Sequence, residues 1–419
     1  MKLKKTCVVG LGYIGLPTAA IIASKKMQVI GLDTNEDIVN TVNQGKIHIV
    51  EPGLEDAVNK AVHHGFLRAT SVPEAADVFI IAVPTPFKDY NHEPNLMFVE
   101  QALDSISSLL KKGNLIILES TSPVGTTEMI QSRLIENRPD LHFSQDGSQS
   151  DIFLAYCPER VLPGNVLNEL IDNDRVIGGI CSQSSNLAAS FYRVFINGDC
   201  HITNSRTAEM SKLVENSYRD VNIAFANELA LLSKELEINV WELIALANKH
   251  PRVNILNPGA GVGGHCLAVD PWFIVDKSPD SALLIKQARL VNDNTPLLIA
   301  EDVINHFLIH QTEMIPSEAN IGVFGLTYKP DIDDLRESPA MAIAQILYKK
   351  FPNNVFVVEP NISSIDHELY GNLSLLDQTE AINRCSIAVI LVPHSGFKSL
   401  FNLSQSNLRI LDYCGLTNS

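Results

Sequence analysis

Six residues near the start of the chain, Gly10-Leu11-Gly12-Tyr13-Ile14-Gly15, constrain the fold more than any other stretch. They follow a short apolar run over residues 6–10 and open a helical pattern over 14–24. A second apolar run, 28–33, ends on Asp33. This order fits a strand that turns sharply, exposes backbone N–H groups to a pyrophosphate and continues as a helix packed on the next strand. A carboxylate at Asp33 can bind a ribose diol, and no Lys or Arg immediately follows it to take a 2′-phosphate. Gly10, Gly12, Gly15 and Asp33 therefore predict an NAD site in a doubly wound α/β unit.

Further short strands are expected at 78–83, 115–119, 152–156 and 175–178. Two turns follow such strands, Val83-Pro84-Thr85-Pro86 and Ser120-Thr121-Ser122-Pro123-Val124-Gly125-Thr126. They should lie at the carboxyl edge of the sheet, where open α/β folds bind ligands. Their hydroxyls can reach a cofactor or cap helices. From about 203 to 236 the pattern changes. Met210, Leu213, Val214, Ser217, Val221, Ala224, Phe225 and Leu229 recur at helical spacing, with no Gly or Pro. One long helix is expected there, as a dimerisation spine or as a helix buried within the chain. After a linker at 316–320, strands at 321–326, 355–359, 387–392 and 409–411 and a helix at 340–350 indicate a second α/β half. The expected architecture is two Rossmann-like doubly wound domains, 1–200 and 313–419, joined by a central helical domain, 201–312, with a long dimerisation helix.

Composition narrows the partners. A formal net charge of -16 over 419 residues repels nucleic acid and anionic lipid, so an anionic substrate would need a local basic pocket. Seven scattered cysteines without a C-x-x-C pair argue for a reducing compartment and against a disulfide framework or zinc; no metal is expected. The sequons at Asn361, Asn372 and Asn402 are then not expected to carry glycan. Lys2, Lys4 and Lys5 precede an apolar run as in a signal peptide, but Gly10, Gly12, Gly15 and Pro17 interrupt it. No apolar stretch reaches the roughly 20 residues that span a bilayer. A soluble, cytoplasmic protein is expected.

The most informative chemistry lies at Asn257-Pro258-Gly259-Ala260-Gly261-Val262-Gly263-Gly264-His265-Cys266-Leu267-Ala268-Val269-Asp270. A glycine-dense backbone permits close approach to a ligand, and Cys266 stands at its end. A helix N-terminus there would make a thiolate available. Asp270 would share a helix face with Cys266 if a helix begins at this point. His265 is read as structural or substrate-facing, because adjacent residues point apart.

At these residues the chain resembles the UDP-glucose/GDP-mannose dehydrogenase family over essentially its whole length. The shared motifs are the G-x-G-Y-x-G-L-P opening, V-P-T-P, the Cys157-Pro158-Glu159-Arg160 stretch, G-G-x-C-x-x-x-D, and Lys329-Pro330-Asp331 through Arg336-Glu337-Ser338-Pro339. Finer stretches are similar to the branch that oxidises UDP-N-acetyl-D-mannosamine. These are Tyr156 to Gly164, Asn204 to Met210, His250 to Leu256 and Gly263 to Phe273. Ala260 departs from the Pro that many relatives carry.

The resemblance implies a four-electron oxidation at C6 with two NAD+ used in succession, Cys266 forming a thiohemiacetal and then a thioester. It implies that Lys212 is an acid/base or oxyanion stabiliser, with Asn216 four residues along, and that Glu159, Thr121 and Asp270 organise proton transfers and the hydrolytic water. Arg160, Val161, Lys212, Asn216, Arg219, His250, Arg252, Gly263, Tyr328 and Lys329 would line the nucleotide-sugar site. Tyr13, Ile14, Thr85, Thr126 and Arg336 would join the NAD site. A homodimer is implied, with Arg252 reaching the neighbouring subunit's site, and a product destined for surface polysaccharide. UDP-N-acetylglucosamine, UDP-N-acetylgalactosamine and UDP-glucose are the alternative substrates. A two-electron dehydrogenase would share the opening but need no loop cysteine, and a nucleotide-sugar sensor would bind both ligands yet release no NADH.

Overall fold

The computed structural model describes residues 3–88, 92–143, 150–161, 164–264, 266–313, 319–398 and 408–418. His265, most of the 316–320 linker and Asn402 lie outside them. The chain divides into two compact units, Met1–Glu215 and Asn216–Ser419.

The first unit is built on an eight-stranded sheet. Its strands are β1 (Lys5–Val9), β2 (Gln28–Leu32), β3 (Leu67–Thr70), β4 (Val78–Ile81), β5 (Leu115–Leu118), β6 (Phe153–Tyr156), β7 (Arg175–Gly179) and β8 (Cys200–Asn204), in the order β3-β2-β1-β4-β5-β6-β7-β8. All neighbours are parallel except β6 and β7. Side chains alternate across the sheet. Val8, Ile80, Leu115 and Ile117 enter one core, while Cys7, Val9, Phe79, Ile81, Ile116 and Leu118 enter the other. Both faces are covered, which explains why the central strands read as unbroken apolar runs.

The second unit carries a five-stranded parallel sheet of β9 (Ile321–Phe324), β10 (Val355–Val358), β11 (Ser374–Leu375), β12 (Ile387–Ile390) and β13 (Arg409–Asp412), ordered β11-β10-β9-β12-β13. Two further cores cover its faces, one holding Val323, Val357 and Val389, the other Phe324, Phe356 and Ile390. Helices, two of them long, make up much of the rest of its described residues. The expected architecture of two α/β sheets with a helical middle is thus present; β1, β2, β4, β5, β9, β10 and β12 end one or two residues earlier than their apolar runs, β6 ends where expected, and β7 and β13 run one residue further.

The 203–236 pattern folds as one helix, Ser205–Glu235. It has two apolar faces. Leu213, Ser217 and Ala224 are buried within the chain, whereas Val214, Tyr218, Phe225 and Leu232 are exposed. A second long helix, Leu283–Glu313, contains Pro296 in its interior. Polar groups tie the two helices together inside the second unit. Arg289 pairs with buried Asp220, Asn292 donates to the Asp220 carboxylate at 2.8 Å, and Asn227 donates to Asn292 at 3.0 Å. Arg289 and Asn292 converge on one Asp220 oxygen, whereas the other oxygen is buried without a hydrogen-bond partner among the described residues, so this pair is held by its charge and by the Asn292 amide rather than fully satisfied.

Candidate active site

The turn after β1 assigns a separate job to each glycine. Gly10 has φ +91°, and a Cβ there would lie 2.6 Å from the Ala82 carbonyl. A Cβ on Gly15 would fall 1.8 Å from the Gly10 carbonyl, so only glycine lets the helix Gly15–Ser24 sit this close. A Cβ on Gly12 would meet nothing within 4 Å. That glycine leaves the backbone open on its outer side, as a pyrophosphate requires. Tyr13 is exposed beside it, and Ile14 is the residue at which the helix begins.

Asp33 accepts the Leu11 N–H at 2.9 Å through one oxygen and the Asn35 N–H at 2.9 Å through the other. A carboxylate offers about four acceptor sites, so two remain for a ribose diol. The residues of this turn fit NAD.

The other two turns of the sheet edge are laced together. Thr85 donates to the Thr121 carbonyl at 2.7 Å, and Ser120 accepts the Val83 N–H at 2.9 Å. Thr126 is buried and donates to the Pro123 carbonyl at 2.7 Å. Its hydroxyl therefore holds the turn, the capping alternative of the two roles expected for it. Sequence reasoning assigned no role to Glu209 although it lies in a quoted motif. This buried side chain accepts Gly125 N–H at 2.7 Å, Thr127 N–H at 2.8 Å and the Thr127 hydroxyl at 2.6 Å. It fixes the N-terminus of the helix Thr126–Asn137 to the long helix, one turn before Lys212.

Lys212 is buried, and its charge acts on Glu159. Burial pushes the Glu159 carboxyl above its ordinary value; Lys212 and the Val161 N–H, which donates to it, pull the other way. A carboxyl raised by burial beside a cation is suited to carrying a proton in catalysis. Arg160 forks onto Glu215, with Nη2 at 2.8 Å and Nε at 3.1 Å. Its guanidinium is engaged by protein rather than left open. Behind these residues Glu119 is buried and raised, chiefly by desolvation, with the Tyr192 hydroxyl donating to it at 2.6 Å. Arg175, also buried, lies over the Tyr192 ring at 5.3 Å.

The cysteine loop belongs to the second unit. Of the seven cysteines, which form no disulfide, Cys266 alone is exposed. Burial pushes the thiols of Cys7, Cys157 and Cys385 up to about 12, which keeps them protonated and inert. The Cys266 carbonyl accepts the Val269 and Asp270 N–H groups, and the helix Asp270–Lys277 follows. So the helix begins at Asp270, one turn beyond the cysteine.

The expected close approach of the glycines is to protein. A Cβ on Gly263 would meet the Glu337 carbonyl at 2.5 Å and Tyr328 Cβ at 2.8 Å, and one on Gly264 would meet the Tyr328 ring at 3.1 Å. Gly259 N–H donates to Asn227 at 2.9 Å, which ties the loop to the buried polar network. Asn216 donates to the buried Asp270 carboxylate at 2.5 Å.

The remaining expected residues are spread over the surface of this unit. Arg219 is exposed on the long helix. His250 and Arg252 share one exposed turn, in which Arg252 N–H donates to His250 Nδ1 at 3.3 Å. Lys329 is exposed beside Tyr328, and Arg336 forks onto Asp334 at 2.7 and 2.8 Å.

Three family models match consecutive parts of the chain: the UDP-glucose/GDP-mannose dehydrogenase family NAD binding domain at 4–196, its central domain at 206–294 and its UDP binding domain at 322–417. The chain belongs to this family of dehydrogenases. NAD is its cofactor and a nucleotide sugar its class of substrate. The UDP-N-acetyl-D-mannosamine dehydrogenase of Escherichia coli (strain K12) is 56% identical over 394 residues, 93% of this chain and 94% of its own. An NDP-N-acetyl-D-galactosaminuronic acid dehydrogenase of Ralstonia nicotianae is 54% identical over 410 residues, 98% and 95% of the two chains. A solved structure of the UDP-N-acetyl-mannosamine dehydrogenase of S. aureus is 41% identical with a TM-score of 0.85, covering 99% of each chain. Among the described residues, no helix is long and apolar enough to cross a membrane.

Proposed function

We propose that the chain oxidises UDP-N-acetyl-D-mannosamine at C6 to UDP-N-acetyl-D-mannosaminuronate, with Cys266 as covalent nucleophile. The observation that carries the mechanism is the singular exposure of Cys266 at the end of an anchored loop. The choice of sugar rests on the likeness to enzymes named for it, at up to 56% identity. Bound NAD+ supplies the hydride acceptor for each of the two oxidations.

The C6 carbon loses a hydride while the C6 hydroxyl passes its proton to a water held by Glu159 and Thr121, which yields an aldehyde. The Cys266 thiolate attacks the aldehyde carbon and an S–C bond forms. Lys212 stabilises the resulting oxyanion, with Asn216 as its helper on the same helix. Loss of a second hydride gives a thioester. A water oriented by Glu159, Thr121 and Asp270 then attacks, the S–C bond breaks and the thiolate returns. Covalent capture keeps the aldehyde from escaping between the two steps.

The homodimer is part of this reading. Tyr218, Phe225 and Leu232 recur every seven residues along one exposed face of the long helix, and a second copy of the chain would cover it. The exposed turn at His250 and Arg252 would serve the partner's site. The division into three domains, the cytoplasmic location and the use of the product in surface polysaccharide complete the proposal.

A panel of UDP-sugars scored by NADH yield tests it. Two NADH per UDP-N-acetylmannosamine, with little from UDP-glucose, is the expected result. Turnover of UDP-N-acetylgalactosamine or UDP-glucose alone would reassign the sugar, and one NADH per substrate would remove the thioester.

A further inference from the structure

The turn after β9 repeats the turn after β1. Phe324-Gly325-Leu326-Thr327-Tyr328-Lys329-Pro330 stands against Val9-Gly10-Leu11-Gly12-Tyr13-Ile14-Gly15. Gly325 has φ +88°, and its N–H donates to the Val358 carbonyl at 2.9 Å, as Gly10 donates to Leu32 at 2.8 Å. Leu326 N–H donates to Glu359 at 2.8 Å, as Leu11 does to Asp33. Val392-Pro393-His394 follows β12 where Val83-Pro84-Thr85 follows β4. Glu359 is thus the counterpart of Asp33, and His394 that of Thr85.

The acids differ in what is left of them. One Glu359 oxygen accepts Leu326 N–H, Thr327 N–H at 3.2 Å and His394 Nε2 at 2.9 Å. The other accepts the Asn361 N–H at 3.1 Å and side-chain amide at 3.0 Å. Five donors saturate the carboxylate, and no site is left for a ribose diol. His394 is wholly buried. Its Nδ1 faces the Asp331 N–H at 3.0 Å and the Asn361 amide at 3.1 Å, so Nδ1 accepts and Nε2 carries the proton given to Glu359. Glu359 and His394 therefore grip residues 326, 327 and 331. Tyr328 and Lys329 lie between those grips.

We propose that His394 is a positioning residue: by saturating Glu359 and holding Asp331 it converts a second dinucleotide-type turn into a fixed platform on which Tyr328 and Lys329 receive the UDP moiety. The same platform supports the cysteine loop, because Gly263 and Gly264 rest on Tyr328. The inference rests on the reading that this unit binds UDP.

Isothermal titration of the full chain with UDP, and separately with NAD+, tests it, with thermal unfolding and steady-state kinetics alongside. His394→Ala should weaken UDP about 10-fold and raise the nucleotide-sugar KM similarly, with NAD+ affinity nearly unchanged and kcat falling by much less than KM rises. His394→Asn, whose side-chain oxygen can replace Nδ1 as acceptor for Asp331, should recover part of the loss. Asn361→Ala, at an exposed position, should cost UDP about 3-fold without unfolding the chain. UDP affinity unchanged in both alanine variants would overturn the inference, as would equal losses of UDP and NAD+ that follow the melting temperature. Failure of the unaltered chain to bind UDP would instead overturn the reading beneath it.

Discussion

The turns after β1 and β9 share a glycine with positive φ, a leucine N–H on an acid and an asparagine two residues beyond that acid. In the first turn Asn35 looks away and caps the helix Glu36–Asn43, so Asp33 keeps half of its acceptor sites. In the second, Asn361 turns back and His394 joins it, so Glu359 is filled. One backbone plan thus serves two ligand chemistries, and the difference lies in how many donors the protein itself brings to one carboxylate. Gly12 and Gly15 become Thr327 and Pro330 along the way. The second turn no longer needs an open backbone or an immediate helix.

Substituting the third position should separate the turns most sharply. Gly15→Ala places a Cβ 1.8 Å from a carbonyl and should cost on the order of 4 kcal/mol or more, read as a collapse of thermal stability and NAD+ binding. Pro330→Ala should cost no more than about 1 kcal/mol. Next come the acids. Asp33→Asn should raise the KM for NAD+ about 10-fold or more while UDP affinity holds. Glu359→Gln should do the reverse, and a loss of NAD+ binding in Glu359→Gln would break the comparison. Gly12→Ala should change stability by less than about 0.5 kcal/mol yet weaken NAD+, since the added methyl meets only the ligand.

The smallest effect is on pH dependence. Burial raises Glu119, whereas Glu359, though burial also pushes it up, is held below its ordinary value by His394 and the Leu326 and Asn361 N–H groups. A carboxyl lowered by folding stabilises fully above its unfolded pKa and loses that contribution as pH falls through its folded value. One raised by folding stabilises fully below its unfolded pKa and loses it as pH rises through its folded value. Denaturant titrations across acid and neutral pH should therefore show Glu359→Gln flattening the acid-side loss, and Glu119→Gln flattening the loss toward neutrality.

Much of this plan was legible in the chain. Apolar runs placed β1, β2, β4, β5, β6, β7, β9, β10, β12 and β13, and those covered on both faces show as unbroken apolar stretches. The edge strands β3, β8 and β11 left no such trace: β8 is largely exposed and β11 has two residues. The helix Leu283–Glu313 was hidden by Pro296, which ordinarily ends a helix. Cys266 was readable from its glycines, but those glycines pack on Tyr328, a contact between residues more than 60 positions apart. The Glu359–His394 pair was invisible for the same reason. Only the fold brings the end of β10 beside the loop after β12.

The central claim is that Cys266 carries the second oxidation. The most direct measurement is the NADH released per UDP-N-acetylmannosamine by Cys266→Ser beside the unaltered chain, with the intact mass of each protein recorded after acid quench. Two NADH per substrate from the unaltered chain, and a Cys266→Ser protein that turns over at least about 10³-fold more slowly with no thioester-linked sugar, is the predicted result. A Cys266→Ser protein that still yields two NADH at an undiminished rate would contradict it.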